Sequence, residues 1–200
     1  MVILAGTLGY REKSKGPKVL HIHEGLSVLE NQARAVLHTF PKAHISVTAG
    51  FQADKIIRFK PDFVSVIENQ LWETHNTLEE VRLYLNSVKT TRVLFIDGAV
   101  LFNPHSLGLT QFSSAYCYED EQSGDVGVYV ENGNIINFSF GLPIKFGNLL
   151  YLEGRELDIF KKICTRENSK LCLFEALNIL IDRKCIIRAF SSEKQEVFRI

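Results

Sequence analysis

The chain is 200 residues long, 46% hydrophobic and 23% charged, the proportions of an ordinary globular domain with one substantial core. Its 23 basic residues balance 23 acidic ones, which excludes an overall field drawing it to nucleic acid or an anionic membrane. No apolar run is long enough for a bilayer span, the first residues lack the basic flank of a signal peptide, and Cys117, Cys164, Cys172 and Cys185 are too scattered for a zinc motif, so they read as free thiols of a cytoplasmic protein.

VILA predicts a buried opening strand that runs at Gly6 into a basic, glycine-containing loop reaching Lys18. In LSVLENQARAVLHTF, Leu29, Ala33, Val36, Leu37 and Phe40 share one helical face, and Ser27 with Glu30 has capping-box spacing. HISVTAG alternates as a half-buried strand until Gly50, a short helix over about 52–59 follows, and FVSVIE is the next strand. TLEEVRLYLNSV places Leu78, Val81, Leu85 and Val88 on one helical side, with Thr77 and Glu80 again at capping-box spacing. RVLFID, apolar up to Asp97, reads as a central parallel strand covered on both faces.

The character changes at Ser113. SSAYCYE is a strand, DVGVYVENGNIINFSF a hairpin turning at Asn132-Gly133, and helices follow at about 153–163 and 171–182 before the strands IIRAF and VFRI. The alternation of strand and helix in the first half predicts right-handed crossovers and an α/β fold. The expectation is a single domain over 1–200, with a mostly parallel central sheet flanked by helices and a hairpin-containing second half.

In an open parallel sheet, ligands bind beyond the carboxyl ends of the strands, where loop 6–18 and Asp97 both fall. Gly6 and Gly9 allow close backbone approach to an anion, Arg11 can fork onto two phosphate oxygens, and Lys18 supplies a compact charge. The loop is neither a P-loop nor a G-x-G-x-x-G fingerprint, so an anion-binding loop and a basic surface loop both remain open. His21 and His23 lie on one side of a strand without a third ligand nearby and read as a polar strand face. Trp72 and His75, beside Asn76, read either as a stacking surface for a base or choline-like cation or as anchors of their own loop.

The layout resembles the sugar-phosphate and phosphocholine nucleotidyltransferases. LAGTLGYREKSKGPKVL is similar to their L-A-A-G-x-G-x-R and P-K-x-L signature, HEGLSVLENQ to G-x-x-L-L-E, and ISVTAGFQADKI to V-x-x-G-Y-x-x-E-x-I. ENQLWETHNTLEEV resembles N-x-x-Y-x-x-T-N-N-x-x-S-L, VLFIDGAVLFNP sits where the family has I-x-G-D-x-x-F, and LFEALNILI is similar to a late helix of the phosphocholine branch. The resemblance implies a GT-A/Rossmann-like fold, with 1–110 the nucleotide-binding half and 111–200 the acceptor-binding half. It implies transfer of a nucleotidyl group from an NTP to a sugar 1-phosphate or phosphocholine-type acceptor with release of pyrophosphate. On it, Arg11 and Lys18 are catalytic, residues 4–9 (Leu4, Ala5, Gly6, Thr7 and Gly9 among them) and Asn76 bind the nucleotide, Trp72 and His75 face the acceptor, and Mg²⁺ is the cofactor.

Three departures bear on that implication. Thr7 replaces a small residue. The family's metal aspartate falls on Ala99, and Asp97, the metal candidate, lies two residues earlier, a displacement of about 6.6 Å along a strand. Near the C-terminal strand only Glu193 and Glu196 offer a second carboxylate, and both read as solvated surface. Two further classes therefore stand beside the transferase: an inactive nucleotide-binding or assembly protein on the same fold, and a small glycosyltransferase using a nucleotide-sugar.

Overall fold

The computed structural model describes residues 1–6, 16–120, 124–191 and 197–200. Arg11, Thr7, Gly9, Glu193 and Glu196 lie outside the described residues. Strand β1 (Val2–Ala5) is followed, after a 3-10 turn at Lys18–Leu20, by a small hairpin of β2 (Ile22–His23) and β3 (Leu26–Ser27). Helix α1 (Val28–Thr39), β4 (Ile45–Ala49), α2 (Ala53–Phe59), β5 (Val64–Glu68), α3 (Thr77–Ser87) and β6 (Arg92–Asp97) complete the alternating half. Then come β7 (Val100–Phe102), a 3-10 segment (Pro104–Gln111), β8 (Ser114–Glu119), β9 (Gly127–Glu131), β10 (Asn134–Ser139) and β11 (Ile144–Glu153). Helices α4 (Gly154–Ile163) and α5 (Leu173–Asp182) and strands β12 (Arg188–Phe190) and β13 (Val197–Arg199) finish the chain.

The main sheet runs β5-β4-β1-β6-β11-β8-β12-β10-β9. Its first four strands are parallel, with Ile3 of β1 opposite Val47 on one side and Ile96 on the other. The expectation of an open, mostly parallel sheet is corrected beyond β6. There β11 pairs antiparallel with β6, β8 and β9, and β10 antiparallel with β9 and β12, leaving β8–β12 the one parallel pair of that half among the described residues. Because Lys145 of β11 also meets Gly127 of β9, the five strands β11, β8, β12, β10 and β9 close into a barrel. The reason lies in the connections: helical crossovers link parallel neighbours, whereas the tight turn at Asn132-Gly133 can join only antiparallel ones.

Strand β11 joins the two regimes. Its second part, Leu149 to Glu153, pairs with β6, while β8 runs along both parts, pairing with Ile144 to Phe146 and, past a register shift, with Leu150 and Tyr151. Asn148, at φ +58°, sits in that shift. Two apolar layers cover the sheet. One, on the side of α3, α4 and α5, holds Val2, Leu4, Phe95, Leu78, Val81, Leu157, Phe160 and Leu177. The other, on the side of α1 and α2, holds Ile3, Val47, Ile96, Leu29, Val36 and Ile56.

Helix starts follow the sequence in part. Ser27 caps α1, accepting from the Glu30 amide at 3.1 Å, but the Glu30 carboxylate turns outward to Arg34 instead of completing the box. For α3 the cap is Asn76 and not Thr77: its Oδ1 accepts the Thr77 amide at 2.9 Å. Glu80, the expected box partner, faces inward and is fully buried. No helix among the described residues is long and apolar enough to cross a membrane.

Candidate functional site

A cavity of about 410 Å³ opens at the carboxyl ends of β1 and β6 and continues towards the barrel. Leu4, Ala5, Lys18, Asn76, Asp97 and Ala99 line the side nearest the parallel strands. Asp125, Phe140, Phe146, Asn148 and Cys172 line the side nearest the barrel and α5. Trp72 and His75 are not on its wall. Trp72 stacks edge-on against Phe51 with ring centroids 5.5 Å apart, and the His75 ring nitrogen meets the Thr74 hydroxyl at 2.9 Å. Gly50 is what lets Trp72 close in, since a Cβ there would lie 2.5 Å from Trp72 Cβ and 2.2 Å from the Gly6 carbonyl oxygen.

The end of β1 is held by a buried polar relay. The Ala5 amide donates to Thr48 Oγ1 at 3.1 Å, the Thr48 hydroxyl contacts the Glu80 carboxylate, and the Gly6 amide donates to Glu80 Oε2 at 2.7 Å. A Cβ on Gly6 would stand 3.0 Å from the Glu80 carboxyl carbon, so the glycine admits this carboxylate. The amides of Ala5 and Gly6 thus bond within the protein; Ala5 lines the cavity, and Gly6 lies behind its wall on Glu80. Sequence reasoning missed Glu80 because its spacing matched a helix cap.

Asp97 sits opposite Leu4 in the β1–β6 register. Its Oδ1 accepts the Ala99 amide at 2.7 Å, closing the turn into β7, and the buried Gln32 side chain of α1 donates to the Asp97 and Val100 carbonyls at 2.9 and 2.6 Å. Burial pushes the Asp97 carboxyl above its ordinary pKa, against the Ala99 amide and the positive charges of Arg199 and Lys18, and with the help of Asp125. Lys18 Nζ donates to the Ile200 carbonyl oxygen at 3.0 Å, and Arg199 Nη1 donates to Asp125 Oδ1 at 2.5 Å. Lys18, Asp97 and Asn76 are therefore brought to one cavity, and Asp125 and Arg199 join them unforeseen. VFRI gave no hint beyond a basic residue in a short strand.

Asn76 has work of its own beside the cavity. Besides capping α3, its Nδ2 donates to Cys172 Sγ at 3.0 Å, tying the start of α3 to that of α5. Burial and the neighbouring Glu175 push the Cys172 thiol up, which keeps it protonated at neutral pH.

Mg²⁺ takes oxygen ligands in a near-ideal octahedron, commonly one or two carboxylates with phosphates and waters. Here Asp97 turns Oδ1 to Ala99, Asp125 is paired with Arg199, and two cations share the array. Among the described residues no three His, Cys, Asp or Glu side chains gather to hold a metal. Among the described residues the cavity's carboxylates are Asp97 and Asp125, each already engaged by a protein partner, so as arranged they do not form a Mg²⁺ cage.

No family model matches the chain, and no curated protein matches it. Solved structures do. The CTP:phosphocholine cytidylyltransferase of Streptococcus pneumoniae superposes with a TM-score of 0.81 at 12% identity, covering 100% of this chain and 92% of that one. The HddC protein of Yersinia pseudotuberculosis gives 0.74 at 18% identity over 100% and 92% of the two chains. The inositol-1-phosphate CTP transferase of T. maritima gives 0.73 at 14% over 95% and 84%. At these identities the likeness is one of fold: the chain has the α/β architecture of these proteins along nearly its full length.

Proposed function

We propose that the protein is a nucleotidyltransferase: it binds a nucleoside triphosphate in the cavity at the ends of β1 and β6 and transfers the nucleotidyl group to a small phosphorylated acceptor. The observation that carries the reading is the meeting of Lys18, Asn76 and Asp97 in one cavity at the strand ends, on a fold shared with two CTP-dependent transferases. The acceptor's phosphate oxygen attacks the α-phosphorus in line, the bond to the bridging oxygen breaks, and pyrophosphate leaves with that electron pair. The protein's part is to hold two anions in register and to neutralise the charge that shifts onto the leaving group. Lys18 is the described cation on the strand-end wall suited to that task, with Arg11 of the preceding loop its expected companion. The cavity's barrel side, with Phe140, Phe146 and Asn148, is the acceptor half.

A second reading, nucleotide binding without transfer, is favoured by the charge arrangement around Asp97, where Arg199 is already paired with Asp125 and Lys18 already donates to the Ile200 oxygen. One assay separates them. The protein is incubated with CTP, UTP or GTP and phosphocholine or a sugar 1-phosphate, and pyrophosphate is followed. The transferase reading expects release with one pair and a loss of about 10- to 100-fold in Lys18→Ala, the scale of one charged hydrogen bond. Nucleotide binding with no release across the panel supports the second reading. Absence of both rejects the two together.

A further inference from the structure

Of the two cations on the cavity wall among the described residues, Arg199 is the one the proposed chemistry has not used. It is carried by β13, a three-residue strand paired antiparallel with β7, so that Arg199 lies opposite Val100, just past the Asp97 turn. The strand is fixed by the burial of Val197 and by the Ile200 amide, which donates to the Ala99 carbonyl at 2.9 Å. Its far end accepts Lys18 Nζ at the Ile200 oxygen. One short strand therefore couples both cations to the turn that presents Asp97.

Resting on the nucleotide-binding reading, we propose that Arg199 is a polyphosphate-binding residue, held ready on Asp125, and that together with Lys18 it supplies positive charge to this cavity without a divalent cation. The Arg199–Asp125 pair is half-exposed on the arginine side, at 48%, so it adds little to stability and is easily exchanged. A triphosphate offers the guanidinium more negative charge and two oxygens at the spacing of its fork, which a single carboxylate oxygen does not. Exchange moves no element: the strand stays paired with β7 and only the arginine head swings from Asp125 to the ligand. The same charge, standing beside Asp97 and Asp125, disfavours Mg²⁺ there and makes binding indifferent to it.

The test is calorimetric titration in EDTA and again in Mg²⁺, with inorganic tripolyphosphate and with CTP, UTP and GTP, of the wild type, Arg199→Ala and Asp125→Asn. The proposal expects the wild type to bind tripolyphosphate in EDTA, with affinity for its nucleotide changing less than about threefold on adding Mg²⁺. It expects Arg199→Ala to weaken both ligands about 10- to 100-fold. Asp125→Asn, which releases the guanidinium, is expected to tighten tripolyphosphate a few-fold, a gain that a structural role for the pair would not produce. Nucleotide binding unchanged in Arg199→Ala, or binding seen only with Mg²⁺, overturns the proposal and leaves the nucleotide reading standing. A wild type that binds none of the four ligands overturns both.

Discussion

Asp97 is costly where it stands. Burial raises its pKa, so the folded protein holds the carboxyl proton more tightly than the unfolded chain does. The stability tied to that proton is complete below the ordinary carboxylate pKa of about 3.9 and is lost as pH rises through the raised folded value. Asp97→Asn, neutral at every pH and still able to accept the Ala99 amide, is therefore expected to raise Tm at pH 7. The gain should shrink towards zero near pH 4; a variant less stable than wild type at pH 7 contradicts this. A carboxyl buried on the wall of a cavity is the kind of perturbed group that functional sites hold. Glu80 holds the end of β1 together, because its carboxylate accepts from the Gly6 amide and the Thr48 hydroxyl. Glu80→Ala leaves both buried without that acceptor and should cost about 2–5 kcal/mol in urea unfolding. Asp97 was legible in the sequence as an acidic residue ending an apolar strand. Glu80 was not, since the same letter three positions after a threonine fits a cap, and only the fold decides which way it turns.

At the scale of elements, the amphipathic helices and the parallel strands were legible because each satisfies its backbone within a local period that its apolar residues repeat. Strand β11 was not. Its ten residues, IKFGNLLYLE, mix a lysine, a glycine and an asparagine into an apolar run and keep no single alternation, because the strand breaks register around Asn148. Missing it meant missing the antiparallel neighbour of β6 and the seam of the barrel. The turn from β6 into β7 depends likewise on a distant residue, Gln32, whose amide nitrogen bridges the Asp97 and Val100 carbonyls from α1. Gln32→Leu keeps the apolar packing of the helix and removes both bonds. A loss of about 1–3 kcal/mol is expected, with nucleotide affinity falling alongside as the Asp97 turn loosens. Unfolding monitored by circular dichroism checks the first, and titration of the nucleotide the second; an unchanged affinity would show that the turn keeps its place without α1.

In the whole molecule, a parallel four-stranded half and a closed five-stranded barrel are joined by the pairing of β6 with β11, and the cavity lies where they meet. The first half places Lys18, Asn76 and Asp97 by the rule that ligands gather at carboxyl strand ends. The second half contributes Asp125, Phe140 and Asn148, residues whose approach depends on barrel closure through Lys145 and Gly127. Closure is a property of the strand order, and a sequence read segment by segment does not display it. This explains why one wall of the site was foreseen and the other was not. The most direct measurement is a crystal structure of the protein with its bound nucleoside triphosphate. The account predicts the phosphates against Lys18 at the ends of β1 and β6, with the acceptor side of the cavity open towards Phe140 and Asn148. A nucleotide seated elsewhere, for instance in the groove between Leu20, Leu26 and Phe59, would contradict it.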